Sequence, residues 1–320
     1  MTEILRIENL KKHYIKKKIF TSETSIVKAV DDVSFSVKQG EVFVLAGESG
    51  SGKSTIAKLI LKSIKSDSGK IIFEQQEIDD EKRNLEKIRM NCQMIHQDPY
   101  DSINPRMRIK EIISEPLEIH NKMNKDEINN RVIEVLQEVK LEPAEEISKK
   151  YPHMLSGGQR QRVVLARALA IKPKIILADE PVSMLYVSIR AEILELMREL
   201  QNKFNISFIY ITHDLATAKY FGQSIGILYL GKIVEIGPIN QVLDNPKHPY
   251  TQALIDAISE PNPENLFKER NIRIKDELVK KIDGCKFRGR CPYEIEKCTI
   301  EPNLEEIEKE HYSACHVKID

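Results

Sequence analysis

Apolar runs alternate with segments of helical periodicity along much of this 320-residue chain. Four runs have the length and composition of buried strands: residues 41–47, 70–78, 174–181 and 207–214. After the third run, apolar residues recur at the spacing of one helix face: Ile189, Ile193, Leu196, Met197 and Leu200. Because strands that alternate with helices form parallel sheets, the pattern predicts an α/β fold built on a parallel sheet.

The pattern becomes mainly helical between residue 98 and about residue 172. One run of helical periodicity there comprises Ile128, Val132, Val135, Leu136 and Val139. A second run begins farther along, with VVLARALA. We therefore predict a helical subdomain inserted into the α/β core. Farther along, residues 225–236 have strand-like halves on either side of Gly231, which predicts a hairpin that closes the core.

The composition shifts toward Pro, Asn, Lys and Glu after Gly237 and Pro238. The stretches NPKHPY and EPNPEN in this region have the composition of turns or linkers. We therefore predict two domains. The core spans residues 1–244 and contains the helical subdomain of about residues 98–172, and a small accessory domain spans residues 245–320.

Charge balance argues against nucleic acid as a partner. Lys plus Arg and Asp plus Glu each number 49, so the formal net charge is zero. Proteins that bind nucleic acid usually carry an excess of positive charge. The first residues lack the basic-then-apolar order of a signal peptide, and no run approaches the roughly 18 to 20 apolar residues that span a bilayer. We therefore expect a cytosolic chain that binds no nucleic acid.

The sequence GESGSGKS, residues 47–54, matches the phosphate-binding pattern G-x-x-x-x-G-K-[ST] between a predicted strand and a predicted helix. Glycines allow the loop to wrap closely, so its backbone N–H groups and the positive end of the helix face phosphates. We expect Lys53 to reach the β- and γ-phosphates and Ser54 to bind Mg²⁺. A Gly-Ser turn that happens to end in Lys is the alternative. The nucleotide-binding residues expected in this loop are Gly47, Glu48, Ser49, Gly50, Ser51, Gly52, Lys53, Ser54 and Thr55.

A Mg²⁺-nucleotide site also needs a carboxylate at the end of an adjacent buried strand. The run IILADE ends in Asp179 and Glu180. Asp179 fits the metal shell, and Glu180 fits a role in orienting or deprotonating the water that attacks the γ-phosphoryl group. Two exposed acids at the end of a strand are the alternative interpretation.

The sequence LSGGQRQR, residues 155–162, together with these two motifs resembles the signature of ABC ATPases. Ser156, Gly157 and Gly158 open a predicted helix, so backbone amides and the helix dipole present an anion site. A plain helix N-cap is the alternative. The resemblance implies a RecA-like P-loop NTPase core with an antiparallel β subdomain and an inserted helical subdomain. It also implies that the signature, with Gln159, faces the γ-phosphate of ATP bound to a partner subunit, so that function requires a dimer.

Three further residues match positions that the ABC resemblance identifies. Gln97, in MIHQDP, resembles the glutamine that senses Mg²⁺ and the γ-phosphate beside the membrane partner. His213, in IYITHD, resembles the histidine that contacts the γ-phosphate, although a solvated histidine at a strand end is the alternative. Tyr14, in LKKHY, resembles the aromatic residue that stacks on adenine, although a tyrosine at a strand edge ordinarily packs. The expected catalytic residues are Lys53, Gln97, Glu180 and His213, and the expected Mg²⁺ ligands are Ser54, Gln97 and Asp179.

Three stretches narrow the resemblance to ATPase subunits of oligopeptide and dipeptide importers: VKAVDDVSFSVKQGE, INPRMRIKEIISEPL and NPKHPYTQAL. The resemblance implies that ATP hydrolysis powers peptide import at the cytoplasmic face of the membrane, with two permeases and an extracellular binding protein. The long segment between Tyr14 and Val27, together with NPRM, resembles a subunit that pairs with a second, non-identical ATPase. Nickel or another small solute is an alternative cargo, since other chains select it.

Tyr186 departs from the family pattern, because the chain reads SMLY where the family reads SALD. A phenol cannot accept hydrogen bonds as a carboxylate does, and it is bulkier. We therefore expect reduced, asymmetric turnover, and a weakly hydrolysing regulatory subunit is an alternative function. ABC proteins of ribosomes or DNA repair are another alternative, which the single cassette and the short spacing from Ser54 to Leu155 argue against.

Four of the five cysteines lie late in the chain, at Cys285, Cys291, Cys298 and Cys315. Cytosolic thiols stay reduced, which favours metal ligands over disulfides. The spacing C-x5-C-x6-C-x16-C lacks both the tight pairs of structural zinc sites and the ferredoxin run. Some members of the importer family carry a four-cysteine set that resembles a [4Fe-4S] site, so a structural [4Fe-4S] cluster is the leading hypothesis. Zn²⁺ and free thiols are the alternatives.

Overall fold

The computed structural model describes residues 2–17, 24–120, 123–257 and 283–318. The strands are β1 Glu3–Lys17, β2 Thr24–Lys38, β3 Val42–Ala46, β4 Ser68–Phe73, β5 Gln76–Glu77, β6 Cys92–Ile95, β7 Ile175–Asp179, β8 Ser207–Thr212, β9 Ser224–Tyr229, β10 Lys232–Pro238, β11 Glu305–Glu308 and β12 His311–Ser313. The α-helices are α1 Lys53–Ile60, α2 Lys82–Asn91, α3 Pro99–Ser102, α4 Ile109–His120, α5 Lys125–Glu138, α6 Ala144–Lys149, α7 Gly157–Leu169, α8 Val187–Phe204, α9 Leu215–Phe221, α10 Ile239–Asp244 and α11 Pro249–Asp256. The predicted linker EPNPEN lies outside the described residues.

Strand β3 lies near the middle of an eight-stranded sheet with the order β11-β12-β10-β9-β3-β8-β7-β6. The strands from β9 to β6 in this order run parallel to one another, which confirms the predicted parallel sheet for the runs 41–47, 174–181 and 207–214. The run 70–78 instead forms β4 and β5 of the antiparallel sheet, because the chain turns at Glu74 and Gln75, where φ is 50° and 64°. Successive side chains of a strand point to opposite faces. Val42, Val44 and Ala46 accordingly pack into the core on one side, whereas Phe43 and Leu45 pack into the core on the other. Helices cover this sheet on both sides, as buried parallel strands require.

A second, antiparallel sheet has the order β2-β1-β4-β5. Strands β1 and β2 pair along their whole length, from Glu3 opposite Lys38 to Lys17 opposite Thr24. The buried side chains of this pair share a core with α1 and with Phe43 of β3. The loop between β3 and α1 therefore lies where the two sheets meet.

Helices α3 to α7 follow one another between β6 and β7, in the region where the periodicity is helical. Helix α5 begins at a capping box, in which Asn124 and Glu127 each accept a hydrogen bond from the other's backbone N–H. The buried guanidinium of Arg131 donates to the carbonyls of Leu169 and Ala170 at the end of α7, where the helix dipole favours a cation. The apolar residues of the first predicted helical run face the core: Val132, Val135, Leu136 and Val139 are buried, and Ile128 is partly buried.

Strands β9 and β10 form the predicted hairpin. Its turn contains Leu230 and Gly231, with φ of 45° and 82°. A side chain at Gly231 would approach the backbone of β2 too closely, since an added Cβ would lie 2.5 Å from the carbonyl oxygen of Lys28. The hairpin turn is thus packed against the antiparallel sheet.

The C-terminal part of the described chain adds β12 and β11 to the edge of the large sheet, beside β10. The buried carboxylate of Glu235 on β10 accepts hydrogen bonds from the backbone N–H groups of Lys247 and His248, at 2.7 and 3.0 Å. It also contacts the buried ring of His311 on β12, with 2.7 Å between Oε1 and Nε2. Breaking such a buried pair is strongly destabilising, so Glu235 fastens β12 to β10. The division into two domains at residue 245 stays a prediction.

Candidate functional site

The loop of residues 47–54 connects the end of β3 to the start of α1. Gly47 and Gly52 have φ of 148° and 112°, which favours glycine. An added Cβ would lie 2.2 Å from the carbonyl oxygen of Leu228 at Gly47, and 2.1 Å from that of Ala29 at Gly52. Both glycines are therefore required by close packing beneath the loop as well as by the backbone conformation.

The ammonium group of Lys53 lies inside this loop. Its Nζ donates to the carbonyl oxygens of Gly47 and Glu48, at 2.7 and 2.8 Å. Burial lowers the pKa of Lys53, and the nearby charges of Glu180 and Asp179 oppose that shift. A buried cation beside the backbone N–H groups of a glycine-rich loop forms an anion-binding site.

Asp179 ends β7 beside Ser54, the second residue of α1. Burial raises the pKa of Asp179, while a hydrogen bond from the Ser54 side chain lowers it and the charge of Glu180 raises it. A divalent cation would relieve the cost of burying this carboxylate. The hydroxyl and carboxylate oxygens of these two residues are ligands that Mg²⁺ prefers, so the pair fits the predicted metal.

Glu180 is held from two sides by two of the other predicted catalytic residues. The Nδ1–H of His213 donates to one carboxylate oxygen at 2.8 Å, and the Nε2–H of Gln97 donates to the other at 3.0 Å. The backbone of Glu180 has φ of 48°, and its N–H donates to the carbonyl of Ile211 on β8. A residue held in this strained conformation is typical of functional sites. The side chains of His213 and Gln97 thus fix the carboxylate of Glu180 in one position.

Most of these groups line one open cavity of about 540 Å³, whereas His213, Gly47, Glu48 and Ser51 lie outside its wall. The predicted residues on its wall are Ser49, Gly50, Gly52, Lys53, Ser54, Thr55, Gln97, Asp179 and Glu180. Sequence reasoning missed Ile26, Val27, Lys28, Ala29, Leu230 and Lys286, which complete the wall. The first four belong to β2, and no local motif marks them.

Tyr14 does not line this cavity, although it lies opposite Val27, which does. Its ring is 40% exposed, and the Nζ of Lys12 lies 5.6 Å from the ring centre. Stacking of Tyr14 on adenine stays a prediction, supported by its position next to the apolar end of the cavity.

The signature forms the N-terminus of α7 on a separate surface. The backbone N–H of Gln159 donates to the Ser156 hydroxyl at 3.3 Å, and the Gln159 side chain accepts from the Ser156 N–H at 3.0 Å. An added Cβ at Gly158 would lie 2.8 Å from a methyl group of Ile189 on α8. The signature residues are not on the wall of the cavity around Lys53, so within one subunit the two motifs do not meet.

The residues before α8 project into solvent. Tyr186 is 83% exposed, and its neighbours Met184 and Val187 are also exposed. Tyr186 occupies the N-cap position of α8 without a capping hydrogen bond from its side chain. An exposed apolar group of this kind is typical of a surface that another protein covers.

The four cysteines near the end of the chain approach one another. Burial first of all, together with the charges of Cys285, Cys291 and Cys298, raises the pKa of Cys315 to about 11. The backbone N–H of Cys285 donates to the carbonyl of Cys298 at 3.0 Å. In the described ranges, no three His, Cys, Asp or Glu side chains already have the arrangement of a metal site. The donor types nevertheless fit a thiophilic metal, since cysteine sulfur is the ligand that iron–sulfur clusters and many zinc sites use.

Residues 284–298, here termed the cysteine segment, lie against the P-loop. Arg290 approaches the Glu48 carboxylate at 3.4 Å and the Tyr229 hydroxyl at 3.4 Å. The backbone N–H of Glu48 donates to the hydroxyl of Tyr250 on α11 at 2.9 Å. Buried Phe287 packs its ring against Tyr229 and Tyr250. These contacts bring the end of the chain to the phosphate loop, which no motif in the sequence indicated.

A second cleft, of about 400 Å³, opens between β6, α4 and α7. Ile119 on its rim is 68% exposed, and Arg167 of α7 donates to Glu115 of α4 at 2.6 Å. His96 lines this cleft, whereas the next residue, Gln97, lines the cavity around Lys53. One loop therefore contacts both openings.

Among the helices of the described residues, none has the length and hydropathy of a membrane span.

The family model of the ABC transporter matches residues 30–183, and that of the oligopeptide/dipeptide transporter C-terminal region matches residues 234–298.

Curated relatives align with almost the whole chain. The oligopeptide transport ATP-binding protein AppF of Bacillus subtilis is 40% identical over 321 residues, which cover 98% of this chain and 97% of the relative. The dipeptide transport ATP-binding protein DppF of Escherichia coli is 37% identical over 309 residues, which cover 95% of this chain and 91% of that protein.

Solved structures share the fold. The cbiO1 protein of Clostridium perfringens, part of an ABC transporter complex, matches with a TM-score of 0.67 and 27% identity over 77% of this chain and 92% of its own. The cassette MJ0796, described as a dimer in a post-hydrolysis state bound to ADP and Pi, matches with a TM-score of 0.64 and 30% identity over 74% of this chain and 99% of its own.

Proposed function

Because this chain belongs to the ABC transporter family, as an ATP-binding subunit of the oligopeptide and dipeptide importer type, we propose that it hydrolyses ATP to power the import of di- and oligopeptides. One observation carries the proposal. The Glu180 carboxylate, held by Gln97 and His213, lies in the same cavity as Lys53 and Asp179.

Each residue of the cavity has a distinct role in hydrolysis. Lys53 and the loop amides bind the β- and γ-phosphates, and Ser54 and Asp179 would hold Mg²⁺. When bound, Mg²⁺ would neutralise negative charge on the phosphates. Glu180 orients the attacking water and accepts its proton, because its two oxygens are fixed at the mouth of the cavity. His213 and Gln97 position Glu180 and report whether a γ-phosphate is present.

The active unit is a dimer in which each signature completes the partner's site. Within one subunit, Ser156 and the two glycines after it lie away from the cavity, so they are available to a nucleotide held by another subunit. The N-terminus of α7 presents backbone N–H groups to an anion. The MJ0796 cassette, which shares the fold and is described as a dimer, supports this arrangement.

The permeases dock in the cleft between β6, α4 and α7. The exposed Ile119 makes part of its lining apolar, and another lining residue, His96, directly precedes Gln97 of the nucleotide cavity. A permease segment that presses into the cleft would therefore move the residue that holds Glu180. In this arrangement the subunit lies on the cytoplasmic face of the membrane, and an extracellular binding protein delivers the peptide to the permeases.

The second ATPase of the complex is a non-identical subunit. Tyr186 supports this, because a phenol in the place of the family's aspartate makes the two composite sites unequal when the partner retains the aspartate. The exposed Met184, Tyr186 and Val187 supply an apolar contact for that partner. The second candidate function, a weakly hydrolysing regulatory subunit, is favoured by the same substitution.

Replacing Tyr186 with Asp is expected to raise the ATPase rate of the assembled complex by up to about tenfold, the effect of one added charge-assisted hydrogen bond. Asp also caps α8, which stabilises the helix by about 1 kcal/mol. Tyr186→Asn is the matched control, because it caps the helix but carries no charge. Phosphate release by the purified complex is the measurement, and an unchanged rate in Tyr186→Asp would contradict the assigned role.

The four cysteines hold a [4Fe-4S] cluster with a structural role. Support comes from the burial of Cys291 and Cys298 and the partial burial of Cys285 and Cys315, because burial disfavours thiolates unless a metal binds them. The cluster would substitute for a hydrophobic core in a segment too short to build one. Zn²⁺ is the alternative metal.

Cys291→Ser is expected to remove at least half of the iron and acid-labile sulfide that the wild-type chain carries when purified without oxygen. Cys92→Ala is the control, since Cys92 is buried in another core and should leave the metal content unchanged. Elemental analysis and visible absorbance are the measurements. A colourless wild-type protein with one zinc per chain would exclude the cluster and favour the closed zinc site.

The proposed function is tested by ATP-dependent uptake of a labelled peptide into vesicles that contain the assembled transporter. Uptake should require Mg-ATP on the side of this subunit. Uptake of nickel or another solute, with no uptake of peptides, would retain the ATPase and replace the cargo.

A further inference from the structure

Lys286 of the cysteine segment lies on the wall of the nucleotide cavity, 233 residues after Lys53. Its side chain is 22% exposed, and its Nζ lies 3.9 Å from Oδ2 of Asp31 on β2. That distance is too long for a hydrogen bond, so the ammonium is near an anion without being engaged by it.

Positive charge exceeds negative charge at this part of the wall. Lys28 also approaches Asp31, with Nζ 3.3 Å from Oδ2, and the His13 ring lies 3.3 Å from Oδ1. One carboxylate thus faces two lysine ammonium groups. Lys286 and Lys28 both line the open cavity whose wall also contains the ammonium group of Lys53.

The packing of the cysteine segment fixes where Lys286 lies. The next residue, Phe287, is buried among aromatic rings, and Arg290 is paired with Glu48 of the P-loop itself. Gly284, with φ of 83°, lies so close to Thr299 that an added Cβ would be 2.4 Å from its carbonyl oxygen. The packed residues on either side of Lys286 therefore hold it in place, and the contact between Arg290 and Glu48 joins this segment to the phosphate loop.

The position of Lys286 along the cavity indicates which part of a nucleotide it meets. His13 lies opposite Lys28 in the β1–β2 pair, and Tyr14 lies opposite Val27. Lys286, beside Asp31 and Lys28, is thus on the β2 side of the cavity, whereas Lys53 is on the side toward Asp179. A nucleotide with its terminal phosphates at Lys53 and its base toward Tyr14 would bring its α-phosphate past Lys286.

We propose that Lys286 is a nucleotide-binding residue, supplied by the cysteine segment, whose ammonium binds the α-phosphate of the bound nucleotide. The proposal rests on the proposed function and extends its site to the C-terminal part of the chain. Arg290 acts as a positioning residue, because it holds the segment to Glu48.

The test is competition of Mg-ATP, Mg-ADP and AMP against a fluorescent ATP analogue on the full-length chain. Lys286→Gln should weaken all three ligands by about tenfold, because each carries an α-phosphate and each loses one charge-assisted hydrogen bond. Lys286→Arg should retain most of the affinity. Unchanged affinity in Lys286→Gln, or a loss confined to ATP, would overturn the assignment to the α-phosphate.

Two control variants separate the effect of Lys286→Gln on nucleotide binding from a failure of the nucleotide site as a whole. Lys297→Gln removes an exposed lysine from the same segment and should leave binding unchanged. Lys53→Ala reports on the nucleotide site as a whole. Loss of binding in Lys53→Ala together with wild-type binding in Lys286→Gln would leave the proposed function intact and refute the role of Lys286. Thermal unfolding of Lys286→Gln and Lys286→Arg shows that both variants are folded before affinities are compared.

Discussion

Glu180→Gln is expected to lower the ATPase rate of the assembled complex by at least about 100-fold, the usual contribution of a general base. The amide cannot accept the proton of the attacking water. It also replaces an oxygen that accepts from Gln97 or His213 with an NH₂ group. ATP binding should persist, because Lys53 and the glycine loop hold the phosphates without Glu180. Phosphate release and equilibrium binding of Mg-ATP measure the two quantities separately.

Glu77→Gln is the matched control for this change. Glu77 is exposed on β5 and pairs with Lys70 at the surface, so its replacement should alter neither rate nor binding. If Glu180→Gln hydrolysed ATP at the wild-type rate, another group would have to accept the proton. His213 would then be the first candidate, since it lies 2.8 Å from Glu180.

Lys53→Ala is expected to weaken Mg-ATP binding by about 100-fold and to abolish peptide uptake. The change removes the buried cation that meets the β- and γ-phosphates, and two charge-assisted hydrogen bonds are lost with it. It also removes the contacts that hold the carbonyls of Gly47 and Glu48. Titration of the purified chain with Mg-ATP measures the affinity.

Lys58→Ala distinguishes loss of the phosphate contact from damage to α1. Lys58 lies on the exposed side of the same helix, so its replacement should leave affinity unchanged. Thermal unfolding of both variants reports the integrity of the loop. Wild-type affinity in a folded Lys53→Ala protein would refute the nucleotide site itself, and with it the transport function.

The parts of the site that local sequence encodes were predicted from it. The glycine loop, the acidic end of β7 and the hairpin at Gly231 each depend on neighbouring residues, because turn conformation and strand burial are set over a few positions. Ser156 and Gln159 likewise form a capping box from residues three apart. Long-range convergence of Gln97, Glu180 and His213 followed from the family resemblance, because periodicity alone does not define which strand ends meet.

Contacts between distant segments were not predictable from the sequence. The pairing of β12 with β10 joins residues that are more than 70 positions apart, and its three-residue strand carries no alternating pattern. The sequence did not indicate Lys286 as part of the nucleotide site, because nothing in it shows that the cysteine segment packs on the P-loop. The β2 wall of the cavity was missed for the same reason, since its residues face the nucleotide only through the tertiary arrangement.

The attachment of β12 through Glu235 has a consequence for biosynthesis. A ribosome makes the P-loop first, and Lys286 and His311 emerge much later. Until His311 is made, the carboxylate of Glu235 lacks one of its hydrogen-bond partners, and the cavity lacks the part of its wall that Lys286 supplies. The nucleotide cavity of the nascent chain is thus complete only near the end of translation.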